Sequence, residues 1–403
     1  MPYRFMDTRD QLYFQTKLQT EMEREGLDAL ILTQPESVFY ATGFMGCSHY
    51  RFRSCGSTIA VVPAHGRVTL IVSEFESGGA ALQTKGQVEI RTYPLWIYIE
   101  EFADPAETEK EVQPDLLRTF RMAAQRVLDF RAGPVVGVES SSLPYDKYTF
   151  LLDTFGPEHL VNCAGLLTRS KLIKSPWEID LCRYTAQVAE KVMEKVMATT
   201  QPGMTEVDIV RNFTAYAYEF TDGGQELTKV NNVHTVGPNY WSTYLPRAYP
   251  LQEGDVVRLD GGVQVYGYLS DLARTFAVGS SVPPERERLF DIMLSGFDAE
   301  LSMMGPGIKL SEVFRRTLEV IRKHGLPTYI RGHFGHTTGS GLTEDYPMIS
   351  ANEDTVLAPG MVFCLETPYY SARHHSYNIE DEIVITQDGY ERFTCTNRTL
   401  LVH

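Results

Sequence analysis

The stretch Gly254–Gly279 reads GDVVRLDGGVQVYGYLSDLARTFAVG, and it decides the fold of the second half of the chain. Its β-branched and aromatic residues flank a turn near Val265–Gly267, which predicts two paired strands. Asp260 and Asp271 lie almost symmetrically about this turn, so their side chains can meet across the strands. A solvent-facing acidic row is the alternative, but Asp260 follows the mostly apolar run Val256–Leu259, where an unpaired charge would be costly to bury.

A second stretch of the same kind is Met361–Thr386, MVFCLETPYYSARHHSYNIEDEIVIT. Glu366 and Glu380 interrupt apolar strands there and flank the loop Tyr370–Tyr377. Between the two stretches lies Gly332–Gly339, GHFGHTTG, whose glycines let the backbone approach a site closely. A lone histidine is more often structural, but its place between two carboxylate-bearing regions favours a ligand.

Two aspartates, two glutamates and one histidine form a hard, oxygen-rich set of ligands. Such a set suits two divalent ions, Mn²⁺ first, with Co²⁺, Fe²⁺ or Zn²⁺ as alternatives. A structural zinc site would use thiolates, and the six cysteines form no C-x-x-C pair. The sequence therefore predicts a dinuclear metal site as the cofactor of this chain.

The second part of the chain also contains an internal repeat, because two helix pairs are each interrupted by Pro-Gly, 104 residues apart, and followed by acidic strands. The four predicted helices are Trp177–Thr199, Thr205–Phe220, Pro284–Met304 and Ser311–His324. Pro-Gly after a helix is also common stop chemistry, but the matching order favours duplication. Two similar halves enclosing a cleft would bring equivalent carboxylates face to face.

The first part of the chain alternates helical patterns with short apolar runs, which predicts helices packed on a sheet. The predicted helices are Gln11–Glu25 and Pro114–Phe130, and the predicted strands are Ala29–Leu32, Thr58–Val62, Val68–Val72 and Val135–Glu139. A boundary near Ser170–Pro176 precedes a helix with Ser175 as its N-cap. We predict an α+β protein with a smaller α/β domain, 1–168, and a larger domain, 169–403.

Composition bounds the classes of function that remain. The chain has 403 residues, 43% of them hydrophobic and 22% charged, which is ordinary globular composition. The formal net charge of −15 disfavours nucleic acid and anionic membranes as partners. The sequence shows neither an apolar run long enough to cross a membrane nor a signal peptide, so a cytoplasmic location with free cysteines is expected.

The order RLDGG…YLSDLARTF, GHTTG, LETP and NIEDEIVIT resembles the pita-bread metallohydrolases, which include prolidase, aminopeptidase P, methionine aminopeptidase and creatinase. The resemblance covers about Arg169 to Thr394, and residues 1–168 resemble the N-terminal domain of the creatinase and prolidase branch. It implies a homodimer that hydrolyses C–N bonds of small amides, dipeptide-like or guanidino-type molecules. It also implies that Asp260 binds one metal, His336 and Glu366 the other, and Asp271 and Glu380 both. Glu366 would double as general base.

The chain departs from the peptidases of this family at three positions. Tyr244 stands where a histidine follows the G-x-N motif, no histidine occurs in Thr343–Pro347, and Asn378 stands where an arginine is frequent. Those histidines stabilise the tetrahedral intermediate, so Tyr244 becomes a catalytic candidate beside Glu366, with His333 or His234 as the alternative donor. A small, non-standard substrate is therefore predicted. An Xaa-Pro dipeptidase, a lyase like the dimethylsulfoniopropionate lyases and a non-catalytic binding module are the alternatives.

Candidate substrate contacts come from charged and aromatic residues near these motifs. In creatinase-like dimers the region of Arg51 and Arg53 reaches the partner's active site, so these arginines could clamp a substrate carboxylate. Trp241, Tyr244 and Glu344 are further candidates for lining the pocket. A solvated surface position is at least as good an explanation of Arg51 and Arg53, and packing is an equally good explanation of Trp241 and Tyr244.

Overall fold

The structure is a computed structural model that describes residues 4–95, 115–224, 227–238, 245–341 and 345–401. The chain divides into two units. One runs from Met6 to Lys171, and the other runs from Leu172 to the end of the described chain and also includes Arg4 and Phe5. The division lies three residues after the predicted boundary at residue 168. Among the described residues, no helix is both long and apolar enough to cross a membrane.

The N-terminal part carries helices α1 to α8 and strands β1 to β6. The helices are Arg4–Thr8, Gln11–Glu25, Pro35–Thr42, Cys47–Tyr50, Glu74–Thr84, Leu116–Phe130, Tyr145–Phe155 and Ala164–Leu172. The strands are Ala29–Leu32, Ile59–Pro63, Thr69–Ser73, Glu89–Tyr93, Val136–Val138 and Leu160–Asn162. These bounds confirm the predicted helix Gln11–Glu25, which Asp10 caps at its start by accepting from two backbone N–H groups.

The six strands form one mixed sheet in the order β4-β3-β2-β1-β5-β6, with antiparallel pairing only around β2 and parallel pairing at both sides. Helix α6 covers this sheet, and Phe120 and Val127 share a buried apolar cluster with Ile31 and Val61. Burial of such side chains is the main source of stability for the unit.

The second unit contains the two predicted helix pairs. Helices α9 to α12 are Pro176–Thr199, Glu206–Phe220, Pro284–Leu301 and Leu310–Lys323. The side-chain hydroxyl of Ser175 accepts from the N–H of Glu178, and the Glu178 carboxylate accepts from the N–H of Ser175, so the predicted capping box is confirmed. Helix α11 ends three residues before the predicted Met304.

The same unit contains a ten-stranded sheet and a small hairpin. Strands β7 to β18 are Leu227–Asn232, Thr235–Val236, Val256–Val265, Tyr268–Leu269, Leu272–Ala277, His333–Thr337, Asp345–Ser350, Val362–Glu366, Tyr369–Ser371, His375–Tyr377, Glu380–Ile385 and Tyr390–Arg392. The main path through the sheet is β10-β9-β11-β17-β14-β12-β13, and strands from both repeats meet at β11 and β17. The α+β prediction is confirmed.

The turn between β9 and β10 falls where the sequence predicts it. Tyr266 and Gly267 both have positive φ, 46° and 77°, as a two-residue hairpin turn with right-handed strand twist requires.

The two faces of the ten-stranded sheet are buried against different surroundings. Phe363 and Leu365 of β14 share an apolar cluster with Phe297 of α11. Since side chains alternate along a strand, Glu366 belongs to the opposite face.

Candidate metal centre

Four neighbouring strands place a row of residues on one face of the sheet. The register pairs Asp260 with Ala273, Ala273 with Glu380, and Glu380 with Glu366. Side chains of paired residues in an antiparallel ladder point to the same face, so three carboxylates share one line across β9, β11, β17 and β14. The small methyl group of Ala273 leaves space between Asp260 and Glu380.

Asp271 joins this row from the break between β10 and β11. The register makes it a diagonal neighbour of Asp260, which differs from the directly facing pair that the hairpin symmetry suggests. Its backbone N–H donates to the Glu382 carboxylate over 2.8 Å. One carboxylate oxygen from each of Asp260, Asp271 and Glu380 lies within 4.8 Å of the other two, close enough for a shared cation.

His336 lies on β12 beside these carboxylates. Its Nδ1 is 3.0 Å from the carbonyl oxygen of Thr337, and because a carbonyl only accepts, Nδ1 carries the proton. Nε2 then faces Glu380 Oε1 at 3.8 Å and Asp271 Oδ2 at 4.0 Å. A ring nitrogen oriented by a backbone acceptor and aimed at carboxylates is the usual arrangement of a metal-ligating histidine.

Cys364 is buried on the same face and pairs with His336 across β12 and β14. Its sulfur, a nitrogen of His336 and an oxygen of Glu380 lie within 4.8 Å of one another. Burial and the neighbouring carboxylates, Glu382 first, raise the pKa of the Cys364 thiol well above its ordinary value. The thiol is therefore neutral at physiological pH unless a cation binds it.

Glu366 is anchored on one oxygen and directed towards the row with the other. Arg331 Nη2 donates to Glu366 Oε1 over 2.6 Å, and His333 Nδ1 lies 3.2 Å from the same oxygen. Glu366 Oε2 accepts from Asn378 Nδ2 over 3.3 Å. This arrangement fixes the side chain while leaving Oε2 on the side of Glu380 and Asp260.

Asn378 occupies the centre of the carboxylate row. Its Nδ2 lies 3.2 Å from Asp260 Oδ2, 3.3 Å from Glu366 Oε2 and 3.4 Å from Glu380 Oε2. The side chain is buried, and its Oδ1 has no hydrogen-bond partner within the part of the chain that the structure describes. The position that the sequence marked only as a departure from the family therefore contacts three of the proposed ligands.

Two arginines that the sequence analysis did not single out also contact the row. Arg258 Nη1 donates to Asp260 Oδ2, and Arg331 donates to Glu366. Arg258 lies two residues before Asp260 on β9, so the alternation of the strand puts both on one face. A charge inside the run VVRLD was the signal that could have identified it.

Electrostatic repulsion among the carboxylates is strong. Burial first, and then Asp271, Glu366 and Asp260, raise the pKa of Glu380 well above its ordinary value. Burial also raises the pKa of Asp260, opposed by Arg258 and reinforced by Glu366. Divalent cations relieve this kind of repulsion, so the residues present fit the metal pair that the resemblance implies.

The remaining predicted site residues have different positions. Tyr244, Trp241 and Glu344 lie outside the described residues. Arg51 and Arg53 belong to the N-terminal unit. Both terminal nitrogens of Arg53 donate to the carboxylate of Glu36, over 2.7 and 3.1 Å, and the Arg51 guanidinium lies 5.9 Å from the ring centroid of Phe52.

Comparison with known protein families matches both parts of the chain. The profile of Metallopeptidase family M24 matches residues 180–387, and that of the Creatinase/Prolidase N-terminal domain matches residues 15–173. The resemblance found in the sequence motifs is therefore confirmed, including the branch of the family that carries an N-terminal domain.

Individual relatives are distant but extensive. The uncharacterized peptidase YqhT of Bacillus subtilis is 25% identical over 396 residues, which cover 96% of this chain and 99% of that protein. The Xaa-Pro dipeptidase of Pyrococcus horikoshii is 27% identical over 270 residues, 66% of this chain and 74% of that protein.

Solved structures agree on the fold. The Xaa-Pro dipeptidase from Bacillus anthracis aligns with a TM-score of 0.80 at 21% identity, covering 98% of this chain and all of that chain. The prolidase from Pyrococcus horikoshii aligns with a TM-score of 0.78 at 20% identity. At such identities the likeness shows the fold alone, and it confirms the predicted pita-bread architecture.

Proposed function

Because this chain belongs to metallopeptidase family M24, it is a metal-dependent hydrolase of C–N bonds, and we propose that it uses two divalent ions to cleave a small, dipeptide-like substrate. The proposed ligands are Asp260, Asp271, His336, Glu366 and Glu380. The convergence of four carboxylates and one oriented imidazole on one face of the sheet carries this proposal.

The metal pair supplies one kind of chemistry when it is bound: it lowers the pKa of a water molecule so that hydroxide is available near neutral pH. The protein supplies the rest. Glu366 accepts a proton at Oε2, because Oε1 is held by Arg331 and faces His333. Asn378 keeps the carboxylates of Asp260, Glu366 and Glu380 in register through its amide nitrogen.

His333 and Tyr244 are the proposed donors to the developing oxyanion. His333 lies close to Glu366 and can exchange a proton with it or donate to the substrate. Tyr244 takes the sequence position of the peptidase histidine, and a phenol donates through its hydroxyl. Trp241, Glu344, Arg51 and Arg53 remain proposed substrate contacts.

Two substrates are candidates: an Xaa-Pro dipeptide and a different small amide. Relatives named Xaa-Pro dipeptidase favour a dipeptide with proline at its second position. The replacement of the peptidase histidine by Tyr244 and of the frequent arginine by Asn378 favours a different small amide. We propose the second, with a dimethylsulfoniopropionate-type lyase as the remaining alternative chemistry.

Metal analysis joined to a substrate screen tests this function. The purified protein loaded with Mn²⁺ is assayed against dipeptides, N-substituted glycines, cyclic amidines and sulfonium acids. We expect about two ions per chain, hydrolysis of an amide or dipeptide, and poor turnover of Gly-Pro. Prolidase-like kcat/KM on Xaa-Pro peptides would mean that the protein is an ordinary Xaa-Pro dipeptidase. Elimination without addition of water would indicate a lyase. Lack of bound metal would indicate a non-catalytic binding module.

Three finer features belong to the same proposal. The oxygen-rich ligand set supports Mn²⁺ as the native metal, with Co²⁺, Fe²⁺ or Zn²⁺ as alternatives. The six free cysteines support a reducing, cytoplasmic location. The family resemblance supports a homodimer, and the negative net charge argues against nucleic acid or an anionic membrane as a partner.

A further inference from the structure

A second row of side chains lies beside the carboxylate row on the same face of the sheet. The register pairs His336 with Cys364, and Cys364 with Glu382. Because Cys364 precedes Glu366 by two residues on β14, the alternation of the strand puts both side chains on one face. The second row therefore runs next to the first, and it contains a nitrogen, a sulfur and an oxygen donor.

The thiol of Cys364 belongs to a compact group of potential ligands. Its sulfur, a ring nitrogen of His336 and a carboxylate oxygen of Glu380 all lie within 4.8 Å of one another. His336 Nε2 and Glu380 Oε1 are 3.8 Å apart. Bonds of about 2.0–2.3 Å to a tetrahedral ion place its ligand atoms roughly 3–4 Å from one another. The three donors therefore need little movement to surround one cation.

Glu382 gives an independent sign that a cation belongs to this row. Its side chain is fully buried, and Oε1 accepts from the backbone N–H of Asp271 over 2.8 Å. Its Oε2 is also buried and has no hydrogen-bond partner among the residues that the structure describes. A buried carboxylate oxygen without a donor is costly. Because Glu382 is the direct neighbour of Cys364 across β14 and β17, this oxygen and the thiol share one face.

Packing alone does not explain a thiol at this place. The apolar face of the same strand carries Phe363 and Leu365, and a cysteine that serves only as a small hydrophobic side chain would fit there. Cys364 instead has His336 and Glu382 as its neighbours across the sheet. Of the six cysteines, it is the one that joins a group of three potential ligands within the described chain.

We propose, resting on the proposed dinuclear hydrolase, that Cys364 is a thiolate ligand of the ion that His336 and Glu366 are proposed to hold. When the ion binds, the S–H bond breaks, the sulfur donates its electron pair to the ion, and the proton leaves to solvent. The two metal positions then differ in chemistry. The position at Asp260 keeps oxygen ligands, which suit Mn²⁺, and the position at His336 gains a soft donor, which favours Zn²⁺, Co²⁺ or Fe²⁺.

Cobalt titration of the metal-free protein tests the sulfur ligand without an assay of turnover. Co²⁺ bound to a thiolate shows an intense sulfur-to-metal charge-transfer band in the near ultraviolet, which oxygen and nitrogen ligands do not produce. We expect the wild type to develop this band with an intensity that corresponds to a single thiolate. If the wild type binds Co²⁺ at both positions without the band, the sulfur is not a ligand and the proposal is wrong.

Variants of Cys364 give the second readout. Cys364→Ser and Cys364→Ala should lose the band, with the fold checked by circular dichroism. The ratio of Zn²⁺ affinity to Mn²⁺ affinity, measured by calorimetric titration, should fall by at least about tenfold, the lower end of the cost of losing a group that supports a metal ligand. Cys163→Ser is the matched control, since it alters a buried cysteine of the N-terminal unit, and it should keep both the band and the ratio.

The outcomes separate the sulfur ligand from the proposed function. The wild-type spectrum decides the proposal even where a variant fails to fold. A band that survives in a folded Cys364→Ser variant would belong to another cysteine and would overturn the assignment. A lost band with an unchanged affinity ratio would keep the ligand and refute its selectivity.

Failure of the proposed function has a different signature. A wild type that binds no divalent ion would refute both proposals. A wild type that binds its ions with the band but does not hydrolyse C–N bonds would refute the function and leave the thiolate ligand in place.

Discussion

The two faces of β17 carry buried carboxylates whose surroundings differ: one is surrounded by hydrogen-bond donors and the other by further carboxylates. Glu380 and Asp381 are neighbours in sequence and both are buried, but they point to opposite sides of the sheet. Asp381 is surrounded by donors: Arg274 lies at 2.9 Å, the Thr394 hydroxyl donates over 2.9 Å, and Arg392 donates as well. Its charge is neutralised entirely by the protein.

Glu380 faces the reverse situation. Its neighbours across the sheet are the carboxylates of Glu366 and, beyond Ala273, of Asp260. Among the described residues, the one hydrogen-bond donor to the Glu380 carboxylate is the side-chain amide of Asn378. The comparison teaches how to tell two buried acids apart. Hydrogen-bond donors around a buried acid indicate that its role is structural. Acceptors around a buried acid indicate that it binds a cation.

The largest expected effect comes from removing a proposed bridging ligand. Asp271→Ala should release or weaken both ions and lower activity by more than about ten-thousandfold, since metal and general-base contributions are lost together. Metal content by mass spectrometry and circular dichroism measure this, and the fold should persist. Asp298→Ala, which removes a surface aspartate, is the control. A variant with full metal and activity would contradict the assignment of Asp271.

A smaller effect is expected at Glu366, where only one function is removed. Glu366→Gln keeps the volume and one ligating oxygen but loses the basic site. We expect modestly weaker metal binding and a kcat reduced by about a hundredfold to ten-thousandfold, with KM changed much less, because the lost interaction belongs mainly to the transition state. Steady-state kinetics with metal quantified in the same samples measure this.

The contrary outcome at Glu366 is also informative. Near wild-type kcat with both metals bound would mean that another group moves the proton. His333, which is 3.2 Å from Glu366, and Glu344 would then be the first residues to substitute.

Local signals allowed much of this molecule to be predicted. The cap of Ser175 and the turn at Val265–Gly267 are written in a few adjacent residues, and both were found where expected. Asp260 and Glu366 could be identified from the sequence because each is a charged residue within an otherwise apolar strand. Local chemistry of this kind survives folding because it is satisfied within one element.

The contacts that organise the site could not be predicted in the same way. Asn378 meets Asp260 across 118 positions of sequence, and Arg331 meets Glu366 across 35, so both depend on the register of strands that are distant in the chain. The diagonal placement of Asp271 likewise follows from pairing Asp260 with Ala273. Register is a property of the assembled sheet and has no local signature at these positions.

A third prediction concerns the satisfied face of β17. Asp381→Asn leaves Arg274 and Arg392 without their shared anion, and breaking a buried pair by removing one partner costs about 3–5 kcal/mol. The midpoint of denaturant unfolding should fall, while metal content per folded chain stays near that of the wild type. An unchanged midpoint would mean that Asp381 is not a structural anchor.

The smallest expected effect is the pH dependence of the metal-free protein, and it tests the other face. The pKa of Glu380 is raised above its ordinary value of 4.5 because burial and four neighbouring carboxylates disfavour its charge. Well below that value the group is protonated in both folded and unfolded chains. As pH rises, the unfolded chain loses the proton first, so stability is lost until pH passes the raised pKa.

Glu380→Gln removes this loss of stability. In chelator, the unfolding temperature of the variant minus that of the wild type should therefore increase from pH 5 to pH 8, by an amount worth about 1.4 kcal/mol for each unit of pKa shift. Divalent metal should stabilise the wild type more than the variant and reverse the difference. Glu391→Gln, which removes a half-exposed glutamate of the same unit, is the control. A difference that shrinks with rising pH would mean that Glu380 is stabilised by protein donors, as Asp381 is.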